Sequence, residues 1–178
     1  MHSNGGIEYY ITGKIRSNKN IFTDMLKNLN IYKNKHVPIN YKINSRAIRL
    51  SVLAGLIDTD GHYDSKRHCY EIAQKLKSVA DDILFLALSL GYIAYANYRQ
   101  KYCMYKGKRR YGWYYIMHLH GTNMAEVPCL LSRKKSLPHT HRTDLLVGIN
   151  IHAYGYGRYY GFQTDGNHLV VLNNFTVI

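Results

Sequence analysis

Asp58 and Asp60 stand two residues apart at the end of an apolar run, Leu53-Ala54-Gly55-Leu56-Ile57, and Gly61 follows at once. Carboxylates offer the oxygen ligands that hard divalent cations such as Mg2+ or Mn2+ prefer. A helix over this run would end with its partial negative charge beside both acids, a placement that folding alone disfavours and a bound cation would relieve. Ala54 and Gly55 leave one side of that helix without bulk, so a second helix can approach closely. Gly61 is expected to supply a left-handed helix terminus. The elements that must position this acid pair are therefore one apolar helix, a partner helix and whatever packs beneath them.

The nonapeptide Leu53-Ala54-Gly55-Leu56-Ile57-Asp58-Thr59-Asp60-Gly61 resembles, at eight of nine positions, the signature of the LAGLIDADG homing endonucleases, with Thr59 the single departure. The resemblance implies that two such helices pack at a domain or subunit interface through Ala54 and Gly55. It also implies that the last acid, Asp60, binds Mg2+ (or Mn2+) at the scissile phosphate, while Asp58 caps or buttresses the helix end. Held by a carboxylate, such an ion can activate water, neutralise charge at phosphorus and stabilise the leaving oxygen. By the same resemblance Gln74, in Ile72-Ala73-Gln74-Lys75, orients the attacking water. A lysine of Ser132-Arg133-Lys134-Lys135 lies beside the metal, with Lys135 favoured over Lys134 by register.

Charge points to a polyanionic partner. Among 178 residues, 24 Lys and Arg oppose 11 Asp and Glu, a formal charge of +13. That balance fits double-stranded DNA. Ten of the cations fall between Lys66 and Arg110, against Glu71, Asp81 and Asp82 alone. Lys66, Arg67, Lys75, Lys77, Arg99, Lys101, Lys108, Arg109 and Arg110 are the expected DNA contacts. The 18 tyrosines serve strands and phosphate contacts alike, although an A/T-rich coding sequence would also enrich them. Cys69, Cys103 and Cys129 are too few and too dispersed for a zinc cluster or disulfide framework. His118, His120, His139 and His141 lack ligand spacing with a further acid. No membrane span or signal peptide is read, so an intracellular protein is expected, with a virus or other mobile element as a candidate source.

The periodicity predicts an α+β unit, helix-strand-strand-helix-strand-strand-helix, with helices on one face of the sheet, and the resemblance implies that this sheet is antiparallel and curved. A short amphipathic helix is expected over Ile21 to Ile31, and a strand pair over roughly 62–76. A core helix should follow, with Ser78 as its N-cap and Asp81 and Asp82 in its first turn, ending at Gly91. Then come a hairpin, Tyr92 to Tyr105 and Tyr111 to His120, through Lys106-Gly107-Lys108-Arg109-Arg110, and a closing helix near Val127 to Lys135. Such a sheet could lie along the major groove, with either the Asn97, Arg99, Lys101 set or the Tyr98, Gln100, Tyr102 set facing DNA.

Three segments result: 1–49, the tail of a truncated first repeat and its junction; 50–137, the endonuclease half-domain; 138–178, an incomplete, all-β, Hint-like segment. On this reading the first signature helix lies upstream of Met1. The run Tyr159-Tyr160-Gly161-Phe162-Gln163-Thr164-Asp165-Gly166-Asn167-His168-Leu169, then Val170-Val171-Leu172 and Phe175-Thr176-Val177-Ile178, resembles the closing segment of inteins, the hosts of DOD-type endonucleases. His168 would be the splicing-assisting histidine, yet Met1-His2-Ser3 offers no splice nucleophile and Asn173 and Asn174 are internal. The resemblance thus implies an intein homing endonuclease, incomplete as a lone chain, whose partner is a second LAGLIDADG half. A catalytically inactive DNA-binding remnant and the C-terminal partner of a split intein are the alternatives.

Overall fold

A computed structural model describes residues 20–138 and 150–178. Helix α1 spans Ile21–Asn28 and is capped by Asn20, whose side-chain oxygen accepts from the N–H groups of Phe22 and Thr23. The single turn α2, Ile39–Lys42, leads into α3, Arg46–Asp60, where Ser45 caps Ile48. Strands β1, Gly61–Asp64, and β2, Cys69–Gln74, form a hairpin whose turn is fixed by Asp64 accepting from the N–H groups of Lys66 and Arg67. Helix α4 is Lys77–Ser89, and the long strands β3, Ile93–Tyr105, and β4, Lys108–His120, complete an antiparallel sheet of order β1-β2-β4-β3.

The α+β architecture expected from periodicity is therefore present, with local differences. Helix α4 begins at Lys77 with no side-chain cap. Ser78 instead donates to the carbonyl of Lys35. Asp82 lies past the first turn and is buried, accepting from the Val37 N–H at 2.7 Å and from Lys42 Nζ at 2.5 Å. Those bonds clamp the 37–42 segment onto α4. The β3–β4 turn is shorter than expected: Lys106 and Gly107 both have positive φ, 48° and 72°, as a two-residue hairpin turn demands. Lys108, Arg109 and Arg110 consequently belong to β4. The closing helix near Val127 to Lys135 is replaced by two 3₁₀ turns, Met124–Glu126 and Ser132–Lys134.

One face of the sheet meets the helices. Leu53, Ala54 and Ile57 of α3 and Val79, Ala80, Ile83 and Ala87 of α4 pack on Tyr70, Ile72, Met117 and Leu119. Side chains alternate across a strand, so Ala94 and Ala96, which join this core, fix the parity of β3. Even-numbered residues of β3 share the helix side. Asn97, Arg99 and Lys101 face away from the helices.

Residues 170–178 form a small turn with one bridge, Val171 to Val177, in place of the two strands expected there. Phe175 rests edge-on against Phe85 of α4, centroids 5.1 Å apart. Met1-His2-Ser3, His139 and His141 lie outside the described residues, and the 137/138 boundary of the last segment falls just before the second of those gaps. Among the described residues no helix is long and apolar enough to cross a membrane.

Candidate active site and nucleic-acid interface

The C-terminal end of α3 carries three polar side chains with three different fates. Asp58 is spent on the backbone: its carboxylate accepts from the N–H groups of Leu130, at 2.7 Å, and Leu131, at 3.2 Å. It buttresses the helix end by holding the closing segment. Asp60 is exposed, and Gln74 Nε2 donates to its Oδ2 at 2.7 Å. Gln74 reaches it because β2 runs antiparallel to β1, which starts directly after Asp60. The chain thus brings two sequence-selected residues, 14 apart, into contact.

The third side chain is Lys134, the sequence neighbour of the expected Lys135. Lys134 is buried, and its Nζ donates to the carbonyls of Ile57, at 2.8 Å, and Asp58, at 2.7 Å, and lies 3.5 Å from that of Thr59. Lys135 is exposed, and its N–H closes the 3₁₀ turn. A register counted along a helix cannot survive the replacement of that helix by tight turns. The ammonium also answers the problem posed by two acids at a negative helix end, because a protein cation already occupies the site of greatest negative potential. Tyr70 secures the loop: its hydroxyl donates to the Lys134 carbonyl at 2.8 Å and accepts from the Ser136 N–H, and burial raises its pKa far above the ordinary phenol value.

Gly61 is needed for a reason other than the expected one. Its φ of −85° is ordinary extended backbone, but a Cβ there would lie 2.8 Å from the Ile57 Cα and carbonyl oxygen. The strand leaves the helix so sharply that only hydrogen fits. Ala54, expected at a helix-helix interface, is buried in the core instead, whereas Gly55 meets nothing within 4 Å and is exposed. The outer face of α3 therefore runs through Ile48, Ser51, Val52, Gly55 and Thr59. Beside it opens an apolar hollow lined by Leu29, Ile31, Val37, Pro38, Tyr41 and Val52.

The sheet face away from the helices carries Arg99, Lys101, Lys108 and Arg110, all by the parity fixed above. The sheet curls enough for Lys101 of β3 to reach Glu71 of β2 at 2.6 Å across the intervening strand. Partial burial would raise the Glu71 pKa, but the hydrogen bond and charge of Lys101 outweigh it and hold the acid below its ordinary value. A row missed by sequence reasoning crosses the same face: His62 opposite Glu71, Glu71 opposite His118, His118 opposite Tyr95. The rings of His118 and His120 both stack on Tyr95, at 5.2 and 5.9 Å. Strand alternation was the available signal, once pairing was known.

Other expected DNA contacts fall elsewhere. Lys66 and Arg67 form the exposed β1–β2 turn, and Lys75 follows β2 directly. Lys77 is paired with Asp81 along α4 at 2.7 Å, and Arg109 lies on the helix side of the hairpin. His168 Nδ1 sits 2.6 Å from the Thr164 carbonyl oxygen, with φ of 60°. Among the described residues no group of three or more His, Cys, Asp or Glu could enclose a metal. Asp60 can present one carboxylate oxygen to a shared ion, since Gln74 engages only the other.

No curated protein matches the chain. Residues 47–127, from the first turn of α3 through the 3₁₀ turn before Pro128, match the family model described as the LAGLIDADG-like domain, and this match supports a nuclease of the LAGLIDADG homing-endonuclease type.

Proposed function

We propose that this chain is the DNA-cleaving half of an intein-derived, DOD-type homing endonuclease that makes site-specific double-strand cuts when a second LAGLIDADG half supplies the other acid. The observation that carries the reading is the Gln74 amide holding the Asp60 carboxylate at 2.7 Å, at the open end of the signature helix. LAGLIDADG endonucleases generally use divalent metals, and the donor set here fits half a site: one exposed carboxylate, with room for phosphate oxygens and water. Mg2+ or Mn2+, when bound, would lower the pKa of a coordinated water and offset charge on the phosphate.

The chain's own residues do the rest. Gln74 fixes the Asp60 rotamer and leaves its amide oxygen to accept from an attacking water. Lys134 neutralises the helix end, so that Asp60 does not face three unanswered carbonyls. Arg99, Lys108 and Arg110 engage phosphates from the face away from the helices, while Glu71, His62, His118 and Asn97 meet base edges. LAGLIDADG domains pair with a second domain or copy, and the outer face of α3 around Gly55, with its adjoining hollow, is the surface that would accept one. The Hint-like reading of 138–178, with His168 as the splicing-assisting histidine, rests on the sequence resemblance.

The second reading, an inactive DNA-binding remnant, is favoured by the single open acid at an interface that needs two. Incubating the chain with Mg2+ and a library of long duplexes, then sequencing the ends, separates the two. Discrete ends lost in Asp60→Asn support the nuclease. Salt-sensitive binding by both proteins without ends supports the remnant.

A further inference from the structure

Beyond α4 the β3–β4 hairpin continues as an arm, and among the described residues nothing packs over the outer part of its helix-side surface. Tyr98, Tyr102, Tyr111 and Trp113 are each half or more exposed there, at 57, 55, 60 and 50 %. Their rings meet in two groups along one face of the arm. Tyr98 lies 4.6 Å from Tyr115 and 5.3 Å from Trp113, centroid to centroid, and Tyr102 lies 5.8 Å from Tyr111. The Arg109 guanidinium sits 4.8 Å over Tyr102 at the far end.

The chemistry of this surface selects its occupant. From Asn97 to Tyr115 there is no Asp or Glu; Arg109 lies on this face and Lys106 at the turn, while Arg99, Lys101, Lys108 and Arg110 line the other face of the same arm. Its apolar groups are flat rings with polar tips, and Met104 is the only large aliphatic side chain in the ladder. Tyr, Trp and Arg suit protein interfaces too, and the absence of any acid on either face of the arm is what favours an anionic partner. A flexible polyanion whose own groups are flat rings matches both features, since bases stack on aromatic side chains and phosphates meet cations. Duplex DNA offers no exposed base faces to stack.

We propose that the helix-side aromatic ladder of the β3–β4 arm, Tyr98, Tyr102, Tyr111 and Trp113 with Arg109, binds single-stranded nucleic acid, on the side of the sheet opposite the duplex-facing residues. The inference goes beyond the nuclease reading and does not require cleavage.

Trp113 is the only tryptophan in the chain, so its emission reports directly on the ladder. The full-length protein would be titrated with a dT oligomer of about 15 nucleotides, a length spanning typical single-strand sites, with and without saturating duplex. Salt-sensitive quenching that persists with duplex present supports the proposal. So does weakening of about 5- to 150-fold in Tyr102→Ser, the loss of one stacked base, with duplex binding retained. Unchanged emission with dT overturns it, as does quenching by duplex alone. Emission that changes with protein concentration before any DNA is added would assign the ladder to a second copy, and also overturns it. If the chain binds no duplex at all, the nuclease reading fails while the dT titration still decides the ladder.

Discussion

Helices α3 and α4 lie side by side on the same sheet and both end close to it, yet their C-termini are finished in opposite ways. The end of α4 is closed by Gly91, with φ of 86°, and by two arginines from the start of α3: Arg46 donates to the Leu90 carbonyl at 2.9 Å and Arg49 to that of Ser89 at 2.7 Å. Arg46 is further paired with Glu126, which also accepts from the Tyr92 hydroxyl at 2.7 Å. No acid occupies the last turn. The end of α3 instead carries Asp58 and Asp60, with a buried lysine brought in behind them. Both solutions put cations on orphan carbonyls. Only at α3 does the cation coexist with a carboxylate that packing does not need, and this marks that end as built for something besides folding.

Breaking this contrast should start where chemistry and stability separate most. Asp60→Asn should lower metal-dependent cleavage about 1,000-fold in the paired nuclease. Thermal unfolding should be unchanged or slightly favourable, because a charge leaves a negative helix end. A clear loss of stability would mean that Asp60 is structural. Lys134→Met should do the reverse, destabilising by about 3 kcal/mol through loss of charged hydrogen bonds to buried carbonyls. Urea denaturation of the purified chain would measure it, and a change under 1 kcal/mol would remove Lys134 from its capping role.

Smaller effects sharpen the comparison. Asp58→Ala should cost about 1–2 kcal/mol, since two N–H groups lose a charged acceptor. Faster amide exchange at Leu130 and Leu131 is its specific sign, and unchanged exchange there would count against the buttress. Arg46→Met at the α4 end should cost about 1 kcal/mol, as its partly exposed ion pair with Glu126 is screened by solvent. Cleavage should be unaffected. Activity loss in Arg46→Met with an intact melting curve would mean that the α4 end is not purely structural.

How much of this could be read in advance depends on which forces act locally. The signature helix, the two hairpins and α4 announce themselves because apolar spacing and turn glycines act over a few residues. Asp60 and Gln74 could be paired on paper because a short hairpin joins them, so their meeting needs only a strand reversal. The reach of Lys134 to the α3 carbonyls could not, because it depends on turns around Pro128 that have no periodic signature. The facing of β3 was equally hidden: the outer half of the arm is exposed on both sides, so hydrophobic alternation fades where the parity would be read. Gly61 was recognised for the wrong reason, since sequence cannot distinguish a glycine required by φ from one required by the closeness of Ile57.

The lysine that seals α3 comes from far along the chain, 77 residues after Ile57. At synthesis rates of 5–20 residues per second, the acids leave the ribosome roughly 4–15 s before the ammonium that completes their surroundings. The C-terminal end of α3 is thus finished late, and a nascent chain holds its carboxylates without the means to set them.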